Sequence, residues 1–359
     1  MALRRPQHGL TGWIAAIVLA ALAAVGAGLW AWWPAGEVAV AAASPPAAGD
    51  AGDADRFTTI ANTTIRFADV ESGRAVVGAN DAWVARTSPW QRAVLMGRTA
   101  APDVESFRAF QASAVQPWTP ESRERWRRAL EAIAPAFNRL HVPLPREVLL
   151  VRTDGRESAN QPHTRAHAVV LPAQFNQQQF SDAEVLAHEL FHVVSRHQPE
   201  LANRLYDLIG YDKVGELEWP PGWAALRIAN QDAPFDHHLM RVRIGGRETT
   251  VMPVVISSNP KLPPAKGETL LELMEPRLLE VIPGAYTQPT RPVLRNGQPV
   301  WHEPDATPEF LRSLGGNTDY VLHPDETIAD NFMFLVSGRK VKNPQLLQRI
   351  EAVLLANRP

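Results

Sequence analysis

The 359-residue sequence contains no cysteine. That absence excludes disulfides and thiolate nucleophiles, rules out a Cys-built structural zinc module or a cysteine lipid anchor, and leaves histidine and carboxylate as the strong metal ligands. An excess of charge is lacking too: the formal net charge is -2, and residues 1–33 contribute Arg4 and Arg5 but no acid. With no basic surplus, no nucleic-acid partner is expected. No internal repeat is visible. Composition reads as globular, with enough chain for one large core or two modest ones.

Charge is missing altogether from Gly12 to Trp33, a run of 22 residues rich in Ala, Leu, Val and Ile. At about 1.5 Å per helical residue it spans a hydrocarbon layer of roughly 30 Å. Arg4 and Arg5 place its start inside, and Trp30, Trp32 and Trp33 crowd its outer end as an interfacial belt. The run is expected to be an uncleaved anchor, with a signal peptide cleaved near Ala41 to Ala43 as the alternative. The body would then face the periplasm or exterior from a cell inner membrane, or be secreted. Residues 34–56, poor in large apolar side chains, should form a flexible linker.

From residue 57 to 140 the pattern predicts an N-terminal helical subdomain, with Trp126, Leu130, Ile133, Phe137 and Leu140 forming one stripe. Glu147 to Arg152 and Ala166 to Leu171 read as strands, the second as a sheet edge that could hold an extended peptide. Ser181 and Glu184 form a capping box that starts a helix running to about His197, after which Pro199 breaks the chain or opens a second helix. Residues 211–308 are Pro-rich with short strands, including hairpins around Gly245-Gly246 and Asn296-Gly297. Helices follow from Pro324 to about Gly338 and from about Pro344.

Chemistry concentrates in His188-Glu189-Leu190-Phe191-His192 on the capped helix. Residues four apart share a helix face, so both imidazoles can reach one metal ion while Glu189, one step round, reaches a water held there. That assigns His188 and His192 as zinc ligands and Glu189 as general base, then acid. The apolar flank of Val185, Leu186, Leu190, Val193 and Val194 buries this helix, and buried polar side chains must be paired or liganded.

A catalytic zinc needs a third protein ligand. Glu326 is the only glutamate in the chain followed four residues later by aspartate, Asp330, and the two share a helix face. HExxH completed by a downstream ExxxD resembles the gluzincin metallopeptidases. The resemblance covers these two helices and implies an α+β, zincin-like metallopeptidase core within residues 141–359, with Glu326 as third ligand and Asp330 accepting the outer N–H of a zinc-bound histidine. Here the interval between the two helices is longer than in that family, being filled by the strand-rich insertion. Asp319, His237 and His238 are alternative ligands.

An oxyanion donor is also needed, and Tyr320, His323 and His237 are the candidates. His163 and His167 read as structural or exposed, and Trp219 to Trp223 as either cleft wall or loop packing. The expected function is hydrolysis of peptide bonds in a peptide or protein substrate with Zn2+ as cofactor. The alternatives are a zinc hydrolase for a non-peptide envelope amide and a non-catalytic binding protein that keeps the fold.

Overall fold

The structure is a computed structural model that describes residues 56–176, 179–220, 222–259, 261–262 and 269–357. It is a mixed α and β fold. In the first sheet β1 (Arg56–Ile60), β2 (Thr63–Phe67), β3 (Glu147–Thr153), β4 (His163–Arg165) and β5 (Ala168–Pro172) lie in the order β1-β2-β3-β5-β4. β2, β3 and β5 are parallel, whereas β1 and β4 run antiparallel to their neighbours at the two edges.

Alternation along β3 and β5 explains the layering. Val148, Leu150, Val169 and Leu171 face one side, into the main core. Leu149, Val151, Ala168 and Val170 face the other side, toward α1 (Val70–Val77) and Val115. Strands covered on both faces are apolar at every position. That also corrects the edge assignment: residues 168–172 form an inner strand, and the edge is the shorter, more polar β4.

Three short helices, α2 (Ala82–Arg86), α3 (Pro89–Leu95) and α4 (Val104–Ser113), lead to the long α5 (Pro120–Leu140). The stripe from Trp126 to Leu140 is buried as expected, but in the same core as Ile65, Phe67 and the helices that follow. The expected N-terminal helical subdomain is therefore corrected: residues 56–67 form a hairpin that joins the main sheet, and α5 covers it. The reason is visible in β2, where Thr63, Ile65 and Phe67 alternate inward over only five residues, too short a run to stand out.

α6 (Asp182–His197) starts at the expected box: Ser181 Oγ accepts from Glu184 N at 3.2 Å, and Glu184 Oε2 accepts from Ser181 N at 2.9 Å. Pro199 opens α7 (Pro199–Asp207), since its missing N–H is no loss in a first turn. The segment between α7 and the next long helices builds a second, antiparallel sheet from β6 (Tyr211–Lys213), β7 (His238–Ile244), β8 (Arg247–Ser257), β9 (Met274–Ile282) and β10 (Arg291–Pro292). β11 (Leu294–Arg295) and β12 (Gln298–Pro299) pair separately, and β13 (Trp301–His302) pairs with β9. Both expected hairpin turns form at residues with positive φ, Gly245 at 57° with Gly246 at 81°, and Asn296 at 52° with Gly297 at 76°. Trp219 and Trp301 pack against this sheet, and Trp223 lies on Trp301, so the tryptophans line its core and not the cleft.

After α8 (Pro308–Ser313) the chain returns to the main core through α9 (Pro324–Ser337) and α10 (Pro344–Ala356). Among the described residues no helix is long and apolar enough to cross a membrane. This corrects the expectation of a single-pass membrane protein, whose basis, residues 12–33, lies outside the described residues. The strongly apolar α9 has 14 residues and owes its composition to burial on nearly every side.

Candidate metal centre

α6 and α9 pack side by side at the centre of the molecule, which brings two segments more than a hundred residues apart into one site. The rings of His188 and His192, one turn apart on α6, lie 4.7 Å from each other. Each uses its inner and outer nitrogens differently. Nε2 of His188 is 3.2 Å and Nε2 of His192 is 3.4 Å from the same atom, Glu326 Oε2. The outer nitrogens turn to aspartates: His188 Nδ1 lies 2.9 Å from Asp330 Oδ1, and His192 Nδ1 lies 2.8 Å from Asp325 Oδ2. An aspartate behind each imidazole sets its tautomer and direction.

The carboxylates are held in turn. Asp330 accepts from the Thr318 hydroxyl and Asp325 from the Tyr206 hydroxyl. Asn230 Nδ2 donates to Glu326 Oε1 at 2.5 Å. His323 caps α9, its Nδ1 accepting from Asp325 N at 3.1 Å. Glu326, Asp325 and His192 are buried to within 2% of complete.

Electrostatics follow from that packing. Burial opposes charge on His188, but its bonds to Asp330 and Glu326 win and raise it to about 10. Burial opposes ionisation of Glu326 as well, yet the charge of His192 and the hydrogen bond and charge of His188 hold it well below the usual carboxylate range. The three groups thus need positive charge among them, and a metal ion meets that need while releasing the imidazole protons. Their ligand atoms lie within 4.8 Å of one another, and His192 Nε2, though 3.4 Å from Glu326 Oε2, is buried without an aligned hydrogen bond. Two nitrogens and a carboxylate oxygen suit zinc.

Glu189 points into the same cleft, a space of about 1130 Å³. Its Oε2 has no hydrogen-bond partner, and burial together with the charge of Asp232 pushes its carboxyl up to about 8. Tyr320 stacks on His188 with 6.3 Å between ring centres, and burial with the charge of Glu326 raises its hydroxyl well above the usual range.

No family model, curated protein or solved structure matches this chain.

Of the residues singled out in the sequence, His188, Glu189, His192, Glu326, Asp330 and Tyr320 come together. His323 lines the cleft but serves as a cap, and its Nε2 is buried without a partner. His237 is not among the cleft-lining residues: it stacks on Phe235, lies against His238, and burial lowers it to about 4. Asp319 is exposed and His238 binds Asn203, so among the described residues neither joins a group able to hold a metal. His163 is a buried structural histidine, its Nδ1 3.2 Å from Gln161 O.

Sequence reading missed Asp325, Tyr206, Thr318, Asn230 and Asp232. Asp325 had a signal, being a second carboxylate in the first turn of the helix that carries Glu326. Asn230 and Asp232 had none, because they reach the site only through the path of the insertion.

Proposed function

We propose that this chain is a zinc-dependent peptidase with a zincin-like core of the gluzincin type. The observation that carries the reading is the convergence of both Nε2 atoms on Glu326 Oε2, with an aspartate behind each histidine. His188, His192 and Glu326 would hold the ion. A bound zinc ion would supply a Lewis acid and lower the pKa of water.

The chain's own groups do the rest. Glu189, buried and with a free oxygen, accepts a proton from the attacking water and returns it to the leaving amine. Tyr320, its hydroxyl kept protonated by burial and nearby carboxylates, donates a hydrogen bond to the oxygen that becomes negative. Asp330 and Asp325 keep the imidazoles oriented, and Asn230 holds the far oxygen of Glu326.

The direct test is metal analysis and peptide hydrolysis on the purified chain. About one zinc per chain is expected, with hydrolysis lost on chelation and restored by zinc. A chain that binds no zinc, or that binds it and cleaves no peptide, would overturn the reading.

A related expectation concerns Asp325, which accepts from the outer nitrogen of His192. Asp325→Asn weakens that acceptor and should lower zinc affinity by about 10–100-fold. Competition against a chromophoric chelator measures this, and unchanged affinity would remove Asp325 from the support of the site.

A further inference from the structure

The inference rests on the peptidase reading and concerns which peptides the site takes. Asp232 comes from the loop between β6 and β7. Its Oδ1 accepts from the backbone N–H of Thr164 at 2.6 Å and from the Thr164 hydroxyl at 2.7 Å. Arg196 Nη2 donates to the Asp232 carbonyl at 3.0 Å and to Thr164 Oγ1 at 2.9 Å, which fastens the loop to β4. An extended chain that adds to a sheet edge uses the edge strand's outward N–H groups. At Thr164 that group is already taken.

The Asp232 carboxylate also stands beside the reacting centre, with ligand atoms of Asp232, Glu189 and His192 all within 4.8 Å of one another. Glu189 Oε2 is buried there without a hydrogen-bond partner. Five carboxylates, those of Glu189, Asp232, Asp325, Glu326 and Asp330, gather around the two histidines. One divalent ion leaves that group negative, and Arg196 directs its N–H groups to Thr164 Oγ1 and to the Ala166 and Asp232 carbonyls, not to the carboxylates. Such a cluster of carboxylates suits a cationic group on the substrate.

We propose that Asp232 receives the α-ammonium group of a peptide's free amino end, so that the enzyme removes residues from the N-terminus. An ammonium brings three N–H donors to carboxylates that have acceptor positions left. The α-nitrogen of a first residue lies two bonds from that residue's carbonyl carbon. Anchoring it beside Glu189 therefore puts the first peptide bond at the base. Water's hydroxyl then bonds to that carbonyl carbon, the C–N bond breaks, and water's remaining proton ends on the released amine. A second metal ion fits the spot less well: His192 Nε2 belongs to the first ion, which leaves two carboxylates, one of them already bonded to Thr164.

The test uses the zinc-loaded full chain and two otherwise identical pentapeptides, one with a free and one with an acetylated amino end. We expect the free form to be cleaved at its first bond with kcat/KM at least about tenfold higher. The zinc-loaded Glu189→Ala protein should bind the free form tighter by a similar factor. In Asp232→Asn the preference should vanish, mainly through KM. Equal cleavage of both peptides, cleavage at internal bonds, or a preference that survives in Asp232→Asn would overturn the inference and leave the peptidase reading standing. A second zinc equivalent that disappears in Asp232→Asn would overturn it in favour of a metal. Hydrolysis of neither peptide by zinc-loaded protein would overturn both. Should Asp232→Asn not fold, equal cleavage of both peptides by the unmutated chain still overturns the inference, and Asp232→Ser takes the place of Asp232→Asn in the test of the carboxylate.

Discussion

Glu326→Ala is expected to yield a folded chain with almost no zinc after dialysis against metal-free buffer, where the unmutated chain keeps about one ion. Glu326 Oε2 is the atom on which both imidazole nitrogens converge, at 3.2 and 3.4 Å. Removing it takes away the proposed third ligand and the negative charge that a dication would meet first. The loss in affinity should exceed the about 10–100-fold that follows removal of an outer partner such as Asp325. Folding should survive, because His188 and His192 keep Asp330 and Asp325 as acceptors and the α6–α9 contact is largely apolar. Equilibrium dialysis with metal analysis, alongside circular dichroism, measures both. Zinc content equal to that of the unmutated chain would remove Glu326 from the ligand set.

Glu189→Ala should have the opposite signature: zinc retained and turnover lost. Glu189 makes no contact with Glu326 through a hydrogen bond, and its free oxygen faces the cleft. Loss of a positioned proton acceptor costs about 10²–10⁴ in rate, which should appear in kcat with metal content unchanged. Burial and the neighbouring Asp232 charge raise this carboxyl to about 8, and in its ionised form such a group is a stronger base than an exposed glutamate. If Glu189→Ala turns over as fast as the unmutated chain, Glu189 is not the base. If the protein's biological effect also survives the change, a binding role for the same fold becomes the better reading.

How much of the structure is legible in the sequence differs by element. α6 could be read because three signals agree on it, namely the Ser181/Glu184 box, the apolar flank and the four-residue histidine spacing. α9 could be read from Pro324 and Gly338, and its Glu326/Asp330 pair followed from spacing alone. The two tight hairpins announced themselves through residues suited to positive φ. β1 and β2 did not, since five-residue strands before a long helical stretch carry too little pattern. The inner position of β5 followed from pairing with β3 and β4, which no single strand records.

Spacing along one helix is a local property, so the sequence by itself determined that His188 and His192 share a face and that Glu326 and Asp330 do too. Which aspartate stands behind which histidine, that Tyr206 on α7 holds Asp325, and that Asn230 and Asp232 enter the cleft were decided only by tertiary structure. The physical reason is that these contacts join residues of separate elements, at sequence separations from 68 to 142. Their meeting depends on how α6, α9 and the inserted sheet pack, and helical periodicity carries no information about that.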